Sequence, residues 1–151
     1  MQRTIVALQG ASNKGKTESI RLAYERLLEE GAKVIRHPRR TITRDVRQAI
    51  LEIDGVQIGF ASAGDAVKVL ERDLPPLFEA ECSVILCARH TPRSETFAFV
   101  ERLALQYGYQ IVPIKKERVA FVNAERANLE TADSIVRQIR AAIEAAQLVV
   151  A

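Results

Sequence analysis

The stretch Gly10-Ala11-Ser12-Asn13-Lys14-Gly15-Lys16-Thr17 constrains this chain more than any other. It matches the pattern G-x-x-x-x-G-K-[ST] at every fixed position. Thr4 to Leu8, just upstream, is a short β-rich apolar run. Glu18 to Glu30, just downstream, carries Ile20, Leu22, Ala23, Leu27 and Leu28 on a helical period. A strand that turns through glycines into a helix points successive backbone N–H groups inward as an anion nest. The helix start adds unpaired N–H groups and the positive end of a dipole. In such a turn Lys16 reaches the outer oxygens of a bound polyphosphate, and Thr17 offers its hydroxyl to Mg2+.

This loop resembles the Walker A motif of the P-loop NTPase superfamily. The resemblance implies a nucleotide cradle made of Gly10, Ala11, Ser12, Asn13, Lys14, Gly15, Lys16, Thr17 and Glu18. It implies a three-layer α/β sandwich with a mostly parallel sheet. The motif names neither the base nor the reaction.

The 151 residues suit a single domain, expected over residues 1–151. That length can bury a sizeable core. Hydrophobic residues at 48% and charged residues at 27% describe a soluble globular chain with no run of membrane-spanning length. The first strand begins almost at the first residue, so no signal peptide is expected, and the cytoplasm is the expected compartment. Cys82 and Cys87 are five apart in an extended segment, which points them to opposite faces and argues for buried, reduced thiols. With His37 and His90 they make no zinc-site spacing. The net charge of +3 gathers around Arg36-His37-Pro38-Arg39-Arg40 and Arg44/Arg47. A polyphosphate site needs such charge. A nucleic-acid surface has only weak support, because aromatics are 5% and Trp is absent.

Further strands are expected at about 33–36, 46–53, 56–61, 82–88 and 109–114, and helices at about 66–72, 93–107 and from 123 or 128 to 147. Asp54-Gly55 between two β-rich runs signals a hairpin. Pro75-Pro76 is expected to close the helix before it, and Thr91-Pro92 to open the helix after it. Strands alternating with helices give the α/β sandwich, with one antiparallel hairpin strand in the sheet.

Ligands in such sheets sit beyond the carboxyl ends of the parallel strands. Asp54, at the hairpin tip, falls at the wrong end. Asp65, after the strand 56–61, falls at the right end and is the candidate to share Mg2+ with Thr17; it equally suits a helix cap. Thr41, Thr43, Arg39, Arg40 and Arg44, before the antiparallel strand, are expected near the phosphates. Arg89, after the strand 82–88, is a candidate phosphate or base contact, which makes Lys16, Asp65 and Arg89 the candidate catalytic set. His90 has nothing nearby in sequence to orient it.

The order of loop, helix, basic segment and hairpin is similar to that of small GTPases. The match lapses where their metal-linked Asp would fall, at Ala61, and Ile114-Lys115-Lys116-Glu117 lacks the amide of the guanine-reading motif. The expected function is therefore Mg2+-dependent binding and hydrolysis of a purine nucleoside triphosphate, ATP over GTP, with the segment Arg36 to Arg44 as a nucleotide-gated switch. A small nucleoside or nucleotide kinase and a degenerate GTPase-like binding module are the alternatives. A protein partner or homo-oligomer stays open; no membrane partner is expected.

Overall fold

A computed structural model describes residues 2–11, 15–40, 44–116 and 121–148. Thr4–Gln9 forms β1, and every residue from Thr4 to Leu8 is buried. Its alternating side chains divide the molecule. Val6 and Leu8 enter one core and Ile5 and Ala7 the other, as the period of a strand requires. Helix α1, Lys16–Glu29, packs Ile20, Ala23, Tyr24 and Leu27 into the first core. Gly31, at φ 100°, ends it and leads into β2, Lys33–Arg36.

Strands β3, Arg47–Ile53, and β4, Val56–Ala61, form the expected hairpin. Asp54 (φ 50°) and Gly55 (φ 80°) both adopt the left-handed conformation that a tight hairpin turn needs. Helices α2, Val67–Asp73, and α3, Pro75–Glu79, lead to β5, Val84–Arg89. Helix α4, Glu95–Tyr107, leads to β6, Gln110–Lys115, and α5, Ala124–Leu148, closes the chain.

The strands form one six-stranded sheet in the order β2-β3-β4-β5-β1-β6. β3 runs antiparallel to both neighbours, and the pairs β4–β5, β5–β1 and β1–β6 are parallel. Helices α1 and α5 share one face with Ile135, Ile139 and Ile143, while α2, α3 and α4 cover the other with Leu70, Leu77 and Val100. The result is a three-layer α/β fold with a mixed sheet. Among the described residues no helix is long and apolar enough to cross a membrane.

Four expectations need correction. Pro75 does not close a helix but opens α3, because proline at a first helical position forfeits an N–H that would be unpaired anyway. The cap of α4 is Ser94, whose hydroxyl accepts from the Phe97 N–H; Thr91 instead accepts from the Ser94 N–H in the preceding turn. Cys82 and Cys87 lie in the same core, since Cys82 precedes β5 and strand alternation does not reach it. Both are free and buried, and burial pushes each thiol up to about 12.

The regular alternation that a strand over 46–53 implies also breaks. Val46 shares a core with Ala49 and Leu51, because a bulge at Gln48 (φ 55°) shifts the register between Arg47 and Ala49. That bulge has a partner. Asp73, at the end of α2, is completely buried. It accepts from Arg47 Nε at 3.0 Å, Gln48 Nε2 at 3.0 Å and Arg72 Nε at 2.8 Å. Adjacent residues of a regular strand face opposite ways, so only the bulge lets Arg47 and Gln48 reach one carboxylate.

Burial opposes the charge on Asp73, but hydrogen bonds from Arg72, Gln48 and Arg47 outweigh it and hold the carboxyl below its ordinary 3.8. A folded value below the unfolded one gives stability that is complete above the unfolded pKa and is lost as pH falls through the folded value. Asp73→Ala is expected to cost about 1–3 kcal/mol at neutral pH, since it leaves the buried Gln48 amide without its acceptor and removes the partner of Arg47. Denaturant titrations should show the gap between wild type and Asp73→Asn narrowing as pH drops below that of an ordinary Asp.

Candidate functional site

The glycine turn lies between the carboxyl end of β1 and the start of α1. Gly15 takes φ 81°, a left-handed conformation that glycine adopts without strain. A Cβ there would also sit 2.2 Å from Asn128 Oδ1, so α5 presses on the turn from outside. A Cβ at Gly10 would meet the Lys116 carbonyl oxygen at 2.5 Å. Both glycines are therefore fixed by close approach, and Gly15 by its left-handed backbone as well.

Lys16 follows and is 5% exposed. Its ammonium donates to Gly10 O at 2.7 Å, to Arg89 O at 3.1 Å and to Asp65 Oδ1 at 3.1 Å. Three donors thus meet three acceptors, drawn from the ends of β1 and β5 and from the loop after β4. Two of the acceptors are buried backbone, which fixes the ammonium in place. The third, Asp65, is half exposed and can exchange.

Thr17 points to a different acid. Its hydroxyl donates to Asp45 Oδ1 at 3.1 Å, and Ser62 Oγ donates to the same oxygen at 3.1 Å. Ser62 is itself tied down: its Oγ accepts from the Val46 N–H at 2.7 Å, and its N–H donates to Val46 O at 3.0 Å. These bonds extend the β3–β4 pairing just past its last residues and set Asp45 over the start of α1. Lys16, Thr17, Asp45, Ser62 and Asp65 together line a cavity of about 290 Å3.

Thr17 and Asp65, the expected Mg2+ pair, both line this cavity without bonding each other. Asp65 lines the cavity but bonds Lys16, while Asp45 holds the Thr17 hydroxyl. The signal for Asp45 was present in the sequence, since it precedes the antiparallel strand whose start the topology puts at this end. Ser62 and Asn128 carried no such signal.

The remaining candidates are distributed as follows. The Arg89 guanidinium leaves the cavity altogether. It donates to Gln9 Oε1 through Nε at 3.1 Å and Nη2 at 2.8 Å and lies 3.7 Å from the centre of the Phe97 ring. Only its carbonyl oxygen touches Lys16. Glu18 is bonded by Arg21 Nε at 3.1 Å, a hydrogen bond that holds its carboxyl below the usual range. Arg44 lies 3.9 Å from Glu18, and Arg39 donates to Gln48 Oε1 at 3.2 Å. Ala11 lines a separate cavity with Gly10, Thr91 and Lys115. His90, whose N–H donates to Thr96 Oγ1, carries its ring beside Thr91 Oγ1 at 3.1 Å. Asp54 is at the far tip of the hairpin, where its carbonyl accepts from Gln147. Ser12, Asn13, Lys14, Thr41, Thr43 and Glu117 lie outside the described residues.

The donor set suits a hard cation. Thr17 Oγ1 and the Asp45 carboxylate are oxygen ligands side by side, and Ser62 adds a third oxygen nearby. Among the described residues no group of three His, Cys, Asp or Glu could cage a metal. Mg2+ needs none, because it keeps several waters and binds through one or two carboxylates plus phosphate oxygens.

No protein-family model matches this chain, and no curated protein matches it. One solved structure, "Crystal structure of APE1195", aligns over 91% of this chain and 73% of that chain at 14% identity, with a TM-score of 0.43. A likeness at that level carries no argument.

Gly64 tests how tightly the cavity wall is built. A Cβ there would stand 1.9 Å from Ala88 O, a backbone atom that cannot swing aside. Gly64→Ala should cost about 1–3 kcal/mol through forced backbone shifts, read as a lower denaturant midpoint. An unchanged midpoint would mean that the loop moves freely over β5.

Proposed function

We propose that this chain is a P-loop nucleotide-binding protein that binds a purine nucleoside triphosphate with Mg2+ and hydrolyses it, with ATP as the preferred nucleotide. One observation carries the reading. The buried Lys16 ammonium is fixed by the Gly10 and Arg89 carbonyls at the mouth of a glycine turn that opens a helix. Such a group has a charge to offer and no freedom to offer it elsewhere. An incoming phosphate oxygen takes the place of Asp65 Oδ1 and gains a charge-assisted bond. The dipole of α1 favours the same anion.

Thr17 and Asp45 are the residues that would hold Mg2+, directly or through water. When bound, the ion neutralises charge on the phosphate oxygens. The released Asp65 then faces the cavity as an acceptor that can orient a water toward the terminal phosphorus. Hydrolysis breaks the bond from that phosphorus to its bridging oxygen, and the water's oxygen takes its place. The preference for ATP rests on Ile114, which cannot supply the amide of the guanine-reading motif. A site without that amide gains nothing from guanine's own hydrogen-bonding edge.

Titration calorimetry with ATP and Mg2+ tests the proposal. Lys16→Ala should weaken ATP by roughly ten- to a hundredfold, the worth of a hydrogen bond to a charged group. Equal affinities in a variant that melts like wild type would reject the site. Asp45→Asn should weaken ATP in Mg2+ far more than in EDTA, whereas Asp65→Asn should slow phosphate release without weakening affinity, since it removes a carboxylate that competes for Lys16. The opposite pattern would return the metal to Asp65. GTP outcompeting ATP would overturn the base preference.

A further inference from the structure

Arg89 is the largest fully buried side chain in the described core, and the phosphate cavity does not use it. Its guanidinium carries a full charge, yet two of its nitrogens share one neutral acceptor, Gln9 Oε1. The third, Nη1, is buried with no hydrogen-bond partner. The nearest anion is Glu101 Oε1 at 3.6 Å, beyond hydrogen-bond reach, on a side chain that is half exposed. A buried donor without an acceptor forfeits free energy that a properly placed acceptor would restore.

The surroundings supply a place for one. Arg89 and Gln9 line a cavity of about 440 Å3 between α4 and β6, on the face of the sheet away from α1. Phe97, Leu105, Ile111 and Pro113 are among its apolar walls, and Glu101 stands in the lining as well. Leu105 is 87% exposed on the rim, a large apolar side chain left in water. β6 is an edge strand, so this face of it is only partly covered. An apolar slot with one buried cation at its floor is the usual form of a small-molecule site.

We infer that this slot is a second ligand site, separate from the phosphate cavity, for a small carboxylate with an apolar body whose carboxylate bonds Arg89 Nη1. The ligand's oxygen takes up the unused donor at charge-assisted distance. Its apolar part covers Leu105, Ile111 and Phe97. Glu101 is the group it displaces. The half-exposed Glu101 carboxylate, ion-paired with Arg89 at 3.6 Å, turns into water as the ligand's carboxylate takes over its charge at shorter range. A neutral carbonyl compound would fit the same walls but would gain the weaker bond.

The site is independent of nucleotide binding, although it adjoins it. Residue Arg89 gives its carbonyl to Lys16 and its guanidinium to the slot.

The test is a methyl and arginine-side-chain NMR titration of the full chain with benzoate and hexanoate, alongside benzamide and hexanamide. Carboxylate addition should shift the Leu105 and Ile111 methyls and the Arg89 Nε–H together. The amides should bind roughly tenfold more weakly, the difference between a charged and a neutral hydrogen bond. Glu101→Gln removes the competing carboxylate from an exposed position and does not threaten the fold. It should tighten the carboxylates severalfold and leave the amides unchanged. The inference fails if neither wild type nor Glu101→Gln shows these shifts, if acids and amides bind equally, or if Glu101→Gln weakens the acids. It also fails if the acids shift only the Gly15 and Thr17 amides, which would mean they occupy the phosphate cavity.

Discussion

The ammonium of Lys16 is the point on which three parts of the chain converge. It ties Gly10 at the end of β1 to Arg89 at the end of β5, and it reaches Asp65 beyond β4. A buried ammonium is tolerated only where all its donors are met, so the three segments cannot shift independently. Gly10, the end of β5 and the loop after β4 are thereby held as one surface. Asp65 is the exchangeable member because it alone is exposed and belongs to a side chain.

A second polar network performs a different task on the hairpin. The bulge at Gln48 bends β3 so that Arg47 and Gln48 share Asp73. The start of β3 is thus locked to α2, and Asp45 stands just ahead of it. Asp45 meets Thr17 because the strand behind it is fixed from one side by Asp73 and from the other by the Val46–Ser62 exchange. Stability and site geometry are therefore coupled through a short stretch of backbone. The two sides of β5 are likewise divided, since the carbonyl of Arg89 accepts from Lys16 and its guanidinium lines the slot beneath α4.

Much of this was legible in the sequence. The left-handed Gly15, the helix after it, the Asp54-Gly55 hairpin and the alternation of strands and helices follow from local rules of period and turn chemistry, and the structure has them. The parts that were not legible depend on what a residue meets across the fold. The bulge at Gln48 has no local signature, because it is set by an aspartate twenty-five positions later. Cys82 and Cys87 share a core because the strand begins after Cys82, a boundary that sequence pattern does not define sharply.

The sequence by itself determined the α/β layering and the position of the lysine after a glycine turn, since strand and helix periods and left-handed turns are local properties. Only the tertiary structure decided which acid serves which group. Asp45 and Asp65 are both short acidic side chains at the same end of the sheet. Their roles separated when the hairpin was pinned to α2 and the loop after β4 was pressed against Ala88. Arg89 follows Ile85 and Cys87 at the strand period onto the α4 face, so β5 itself sets its direction, and what the tertiary structure adds is Gln9 and the Phe97 ring that hold the guanidinium there.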